Sequence, residues 1–142
     1  KLRAYNGQEV QFVILRDTDG ADCHALKRRL VELCASNGRP DTLVRLVCQE
    51  LESWYLGDLP ALFDAYGLKP TANNDQAKFR DPDGLFKPSV EVRRLIPSFQ
   101  KTDGARRMGE RLTTDANRSV SFLQFCSGLG RLPASGQPAE AM

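Results

Sequence analysis

The fold is constrained most by an apolar run that ends in two aspartates. A helical pattern and a second apolar run follow it. The run Phe12-Val13-Ile14-Leu15 predicts a buried strand, and Asp17-Thr18-Asp19-Gly20 predicts the loop at its carboxyl end. Asp22 can cap a helix that continues to about Ser36, and residues 42–48 predict a second strand. A strand, a helix and a strand in this order form a right-handed βαβ unit with parallel strands. Both strands therefore end at one edge of the sheet.

Carboxylates follow both predicted strands at that edge. Asp17 and Asp19 share the first loop, and Glu50 comes directly after the second strand, where open α/β sheets place their ligands. Two carboxylates so close repel each other unless a proton or a cation lies between them. Oxygen ligands of this kind suit Mg²⁺, or Mn²⁺ in its place. We therefore expect Asp17, Asp19 and Glu50 to hold a metal ion, while Glu52 can be either solvated or functional. The alternative is an Asp-rich turn that only caps the next helix through Asp22.

The remainder of the chain is predicted to be mainly helical. Residues 51–66 carry an apolar stripe that is interrupted near Gly57–Pro60, and its Trp54 and Tyr55 are predicted core residues. Further predicted segments are a long loop over 67–88, a helix over 88–96, a helix from Thr102 or Asp103, and a final helix from Asp115 or Asn117. We expect one α/β domain over residues 1–132, with a small, mainly parallel sheet flanked by helices and a helical carboxyl-terminal half. Residues 133–142 are predicted to be a disordered tail.

The composition excludes several classes of protein. No run of 18 or more apolar residues is present, so no membrane span is expected. The four cysteines form no Cys-x-x-Cys pair, and the single histidine is His24, so a zinc site is not expected. Cys34 and Cys126 lie on apolar helical faces, which favours reduced thiols and a cytoplasmic setting.

Charge is distributed unevenly along the chain. Residues 1–68 hold 8 Lys and Arg against 10 Asp and Glu, whereas residues 69–142 hold 12 against 8. A polyanionic substrate bridged to the carboxylates by a metal ion would suit this division. Solvated helix faces explain these charges equally well.

Asp-Thr-Asp-Gly also occurs in other kinds of site. A calcium loop of the EF-hand kind needs Glu at its twelfth position, which is Arg28 here, and a preceding helix, where this chain has a predicted strand. A phosphatase of the haloacid dehalogenase type would use Asp17 as nucleophile and Asp19 as general acid. Its pattern calls for Thr or Val at position 21, which is Ala21 here, and for a later pair of aspartates that the chain lacks. This phosphatase remains an alternative.

Longer blocks of sequence carry a more specific resemblance. The blocks are residues 44–58 (with Glu-Leu-Glu-Ser-Trp-Tyr), 77–82, 99–106 (with Lys-Thr-Asp-Gly-Ala-Arg) and 117–122. Together with the Asp-x-Asp after the first strand, they resemble an uncharacterised bacterial family related to the Toprim domain. The resemblance covers about residues 11–132.

The resemblance implies Mg²⁺-dependent phosphodiester chemistry on nucleic acid. It also implies a partner ATPase of the AAA or ABC-like class and a role in antiphage defence. By position, the resemblance implies three pairs of site residues: Asp17 and Asp19, Glu50 and Glu52, and Lys101 and Arg106. The aspartates would hold the metal, a glutamate would complete the acidic cluster, and one of the two cations would stabilise charge on the scissile phosphate.

A non-catalytic alternative belongs to the same resemblance. Toprim domains place a general-base glutamate after an earlier strand, and this chain begins at Lys1, too late to contain that segment. Either an amino-terminal segment is missing from the sequence, or the protein is a regulatory or assembly module that does not cleave. Nuclease activity that depends on Asp17 would separate the two.

Overall fold

A computed structural model of the chain describes residues 1–5, 9–70 and 77–133. Its strands are β1 (Val13–Asp17) and β2 (Leu43–Val47). Its α-helices are α1 (Cys23–Ser36), α2 (Glu52–Leu56), α3 (Leu59–Ala65), α4 (Pro88–Leu95), α5 (Lys101–Gly109) and α6 (Val120–Gly130), and Leu2–Tyr5 and Pro82–Gly84 form short 3-10 turns. The predicted α/β class, with a small parallel sheet and a helical carboxyl-terminal half, is confirmed.

The two strands are parallel and in register from Val13 opposite Leu43 to Asp17 opposite Val47. The predicted βαβ unit is therefore confirmed, and both strands end at the same edge. The predicted cap of α1 is also confirmed, because Asp22 accepts a hydrogen bond from the Ala25 N–H at 2.7 Å.

The first strand is not buried, and on this point the sequence-based prediction is wrong. Val13 is 38% exposed and Leu15 is 39% exposed. Within the described residues β1 pairs only with β2, so it is an edge strand of a two-stranded sheet. The apolar face of α1, on which the sequence places Cys34, is likewise only partly covered: Cys34 is buried, but the neighbouring Leu33 is 54% exposed.

The main core lies on the carboxyl-terminal side of the sheet, among α2 to α6. The predicted stripe over 51–66 supplies much of it, and Trp54 and Tyr55 are buried as expected. The stripe breaks where the sequence indicates, because Asp58 begins α3 by accepting a hydrogen bond from the Ala61 N–H at 3.1 Å. Val47 at the end of β2 is fully buried against this core, which fixes the sheet edge relative to the helices.

Two helices start at residues other than those predicted. α5 begins at Lys101, slightly before the predicted Thr102 or Asp103, and α6 begins at Val120, later than the predicted Asp115 or Asn117. Asn117 donates its amide to the Trp54 carbonyl at 2.8 Å, and its Oδ1 accepts from the Ser119 N–H at 2.8 Å, before the helix begins. Ser119 caps α6 in its place.

Some predictions fall on parts of the chain outside the described residues. These are the tail from residue 134 onward and positions 71–76 of the predicted loop. Among the helices of the described ranges, none combines the length and the apolar composition that crossing a bilayer requires.

Candidate functional site

The loops that follow β1 and β2 are hydrogen-bonded to each other. Thr18 is buried, its N–H donates to the Val47 carbonyl at 3.0 Å, and its Oγ1 accepts from the Gln49 N–H at 2.8 Å. The Asp19 N–H in turn donates to the Gln49 carbonyl at 3.0 Å. Asp19 and Gln49 both have positive φ, 47° and 62°, in the left-handed region that non-glycine residues seldom adopt. These contacts hold the Asp17–Asp19 segment against the segment that leads to Glu50.

Asp17 is half-buried at the end of β1 and surrounded by like charges. Its pKa is raised by burial first, and then by the negative charges of Asp19, Glu52 and Glu50, while Lys101 acts in the opposite direction. Asp19, Glu52 and Glu50 therefore lie near enough to Asp17 for their charges to act on its carboxyl group. The side chains of Asp17 and Asp19 form no ion pair with any described residue.

Glu50 reaches the same edge but is bound to the start of α4. Its two carboxylate oxygens accept hydrogen bonds from the Ser89 N–H at 2.7 Å and the Ser89 Oγ at 3.0 Å. Burial alone would raise the pKa of Glu50, but the two bonds from Ser89, together with Lys101 and Lys87, outweigh it and lower the pKa. The Glu50 carboxylate therefore stays ionised and fastens α4 to the sheet edge. Ser89 carries no sequence motif that would have singled it out.

Glu52 and Lys101 form an ion pair next to these residues. Glu52 opens α2 and is only 3% exposed, and its Oε1 lies 3.4 Å from the Nζ of Lys101 at the start of α5. The Lys101 side chain is 56% exposed, so its ammonium group faces both the buried carboxylate and solvent. The structure thereby brings one predicted cation to the edge.

Arg106 is not brought to the same place. It follows Lys101 by five positions, which is about 140° around a helix, so the two side chains leave α5 in different directions. It is exposed and has no ion pair with any described residue. Arg16, the charged residue next to the end of β1, is also exposed.

Tyr55, which the sequence indicated only as a core residue, lies next to the carboxylates at the sheet edge. Its ring packs against Phe99 with centroids 6.3 Å apart. Burial raises the pKa of its hydroxyl, and so do the charges of Glu52 and Asp17 and the nearby Tyr66. The hydroxyl therefore remains protonated at neutral pH, close to the carboxylates.

The carboxylates of Asp17, Asp19, Glu50 and Glu52 do not form a complete set of metal ligands. Across the described ranges, no three His, Cys, Asp or Glu side chains converge closely enough to hold one ion together. Glu50 and Glu52 are directed to Ser89 and Lys101, which leaves Asp17 and Asp19 as the carboxylates without such partners.

The fold and the site define a small α/β protein in which a parallel βαβ unit ends in carboxylates. A family model described as "Domain of unknown function (DUF4276)" matches residues 2–130. The chain belongs to the DUF4276 family. Comparison with curated proteins and with solved structures gives no match.

Proposed function

We propose that the carboxylates at the carboxyl edge of the sheet serve Mg²⁺-dependent hydrolysis of phosphodiester bonds in nucleic acid. The observation that carries the proposal is the environment of Asp17, which is half-buried and has three carboxylates as neighbours. Burial of like charges is unfavourable, and a divalent cation relieves it more fully than Lys101 does alone. The Toprim-like resemblance of the sequence points to the same chemistry.

Asp17 and Asp19 are the residues that would hold the ion. Mg²⁺ commonly binds through one or two carboxylates and retains several waters, so two unpaired aspartates suit it without a third ligand. Glu50 as a third ligand stays a prediction, because both of its oxygens already accept from Ser89. A bound Mg²⁺ would lower the pKa of a water nucleophile and offset charge on the phosphate.

Lys101 is the cation that would contact the substrate. The ion pair with the buried carboxylate of Glu52 holds the Lys101 side chain at the edge. Because that side chain is partly exposed, its ammonium group can approach a phosphate there. A role for Arg106 rests on the sequence resemblance alone.

The second candidate is a non-catalytic module with the same fold. The hydrogen bonds of Glu50 to Ser89 and the ion pair of Glu52 with Lys101 favour it, because both glutamates join helices to the sheet edge. A haloacid dehalogenase-type phosphatase, with Asp17 as nucleophile, is the third.

The proposed setting is the cytoplasm, with an AAA or ABC-like ATPase as partner in antiphage defence. Support for the partner and the pathway comes from the sequence resemblance. The cysteines support the compartment, because Cys23, Cys34, Cys48 and Cys126 are all free thiols.

Hydrolysis assays on isosteric variants test the proposal. Labelled single-stranded DNA, duplex DNA and RNA would be incubated with the protein and Mg²⁺ or Mn²⁺. We expect cleavage by the wild type and a loss of about 100-fold or more in Asp17→Asn and Asp19→Asn, as for removal of a principal charge-stabilising group. The exposed Asp115→Asn variant is the matched control and should cleave normally.

Three other results would each reject the proposal of a nuclease with its site at Asp17 and Asp19. Equal cleavage by the wild type and Asp17→Asn would show that the site is elsewhere. Absence of cleavage by the wild type in all arms would favour the non-catalytic module. Asp17-dependent hydrolysis of p-nitrophenyl phosphate without cleavage of any polymer would favour the phosphatase.

A further inference from the structure

Two adjoining cavities form a continuous groove between α1 and α6, over β2. The first has a volume of about 470 Å³ and the second about 320 Å³, and both are lined by Lys27, Arg45, Val120 and Gln124. Arg131 lines the first cavity at the end of α6, and Cys48 lines the second. We call this feature the α1–α6 groove.

The α1–α6 groove is positively charged. Lys27, Arg45 and Arg131 form no ion pair with any described residue. The one carboxylate that lines either cavity is Asp83, which accepts hydrogen bonds from the Ser119 Oγ at 2.6 Å and the Ser121 N–H at 2.8 Å. Among the described residues that line the groove, three cations face one carboxylate, so the groove keeps a net positive charge.

Arg45 is built into the floor of the groove. Its Nε donates to the Gln124 carbonyl at 3.2 Å, and its Nη1 donates to the Val44 carbonyl at 3.2 Å. α6 lies directly on it, since a Cβ at Gly128 would be only 2.9 Å from the Arg45 Nε. The guanidinium is held in place by neutral carbonyls, which orient it and leave its charge available for an anion.

The groove leads to the carboxylate edge. Cys48, at one end, follows the last residue of β2 and precedes Gln49, whose backbone is bonded to Thr18 and Asp19. Arg131, at the other end, is eleven residues along α6 from Val120, which corresponds to about 16 Å. A duplex carries one phosphate per about 3.4 Å along each strand, so this length exceeds what a single phosphate occupies.

We infer that the α1–α6 groove binds the sugar–phosphate backbone of a nucleic acid and guides it toward Asp17 and Asp19. The destination of the strand rests on the proposed function, whereas the binding itself does not. Cations spread along a groove suit a linear polyanion, because each neutralised phosphate releases counterions and adds to affinity.

Fluorescence anisotropy in EDTA tests the groove separately from any metal site. The probes are fluorescein-labelled 20-nucleotide single-stranded DNA, the corresponding duplex, and RNA of the same sequence. For single strands, loss of one phosphate contact reduces the steepness of log K against log salt by about 0.7. If the affinities of variant and wild type are equal at 1 M salt, the variant therefore binds about fivefold more weakly at 0.1 M salt. We expect Lys27→Ala and Arg131→Ala to show this loss singly, and the double variant to lose about 25-fold.

Arg93→Ala is the matched control, because Arg93 is exposed in the last turn of α4 and has no ion pair with any described residue. It should bind as the wild type does. Lys27 and Arg131 are exposed as well, so their variants should keep the wild-type circular dichroism spectrum. The probe that binds tightest identifies the form of nucleic acid.

Unchanged affinity and salt slope in the double variant would overturn the inference, and so would tighter binding of polyglutamate than of every nucleic acid. The two proposals fail in different ways. If only the inference about the groove is wrong, Asp17-dependent cleavage persists while Lys27→Ala and Arg131→Ala bind nucleic acid as the wild type does. If only the metal site is wrong, the groove variants lose affinity although no polymer is cleaved.

Discussion

Replacing Glu50 measures how much of its role at the sheet edge is structural. Glu50→Ala removes both acceptors of Ser89, at 2.7 Å and 3.0 Å. A hydrogen bond to a charged group contributes about 1.5–3 kcal/mol, and the half-exposed position of Glu50 favours the lower end. We therefore expect the free energy of unfolding to fall by about 2–3 kcal/mol in Glu50→Ala. Glu50→Gln keeps one acceptor and should lose about half as much.

Urea unfolding followed by circular dichroism gives these values. Ser89→Ala removes only the hydroxyl donor, and a double-mutant cycle with Glu50→Gln should show a coupling of about 0.5 kcal/mol or more. Glu32→Ala, on the exposed face of α1, is the control and should change stability by less than about 0.5 kcal/mol. Glu50→Ala with no greater effect than this control would refute the structural assignment.

The same contact predicts a pH dependence. The folded pKa of Glu50 lies below its ordinary value of 4.5, so its stabilisation is fully present above pH 4.5 and is lost as the pH falls through the folded pKa. The stability difference between the wild type and Glu50→Gln should therefore shrink below pH 4.5. A difference that stays constant into acid would contradict this cause.

Two further substitutions test other contacts. The pKa of Asp17 in the folded protein is raised above its ordinary value of 3.8, so the charged form of Asp17 destabilises the fold at higher pH. Asp17→Asn should therefore have a higher melting temperature than the wild type at pH 7 and the same melting temperature at pH 3. Asp115→Asn is the control and should change the melting temperature at neither pH. Gly104→Ala would place a Cβ against the Phe99 ring, so we expect a loss of about 1–3 kcal/mol in urea unfolding. Gly109→Ala, in the same helix, meets no atom within 4 Å and should gain up to about 1 kcal/mol; equal gains at both glycines would rule out the packing argument.

Local patterns in the sequence were sufficient to predict the βαβ unit. Asp22 as the cap of α1, the strand over 43–47 and the break before Asp58 follow from capping chemistry and hydrophobic period, which depend on near neighbours only. Because parallel strands end at one edge, the approach of Glu50 to Asp17 also followed from local pattern.

Features that depend on distant partners were not predictable in this way. An apolar run shows that a strand forms, but not whether a third strand will cover it, so the exposure of Val13 and Leu15 was missed. Asn117 has the chemistry of a helix cap, yet the Trp54 carbonyl, 63 positions earlier, takes its amide. The partner of Glu50 was missed for the same reason, since Ser89 lies 39 positions away.

Binding of Mn²⁺ at the sheet edge tests the central claim most directly. Mn²⁺ broadens NMR signals of nuclei close to it, and the amides of Thr18, Asp19 and Gln49 are fixed there by hydrogen bonds. We expect substoichiometric Mn²⁺ to broaden these amide signals first, excess Mg²⁺ to restore them, and Asp17→Asn to abolish the effect. Broadening that is absent from this edge, or unchanged in Asp17→Asn, would contradict a cation site formed by the strand-end aspartates.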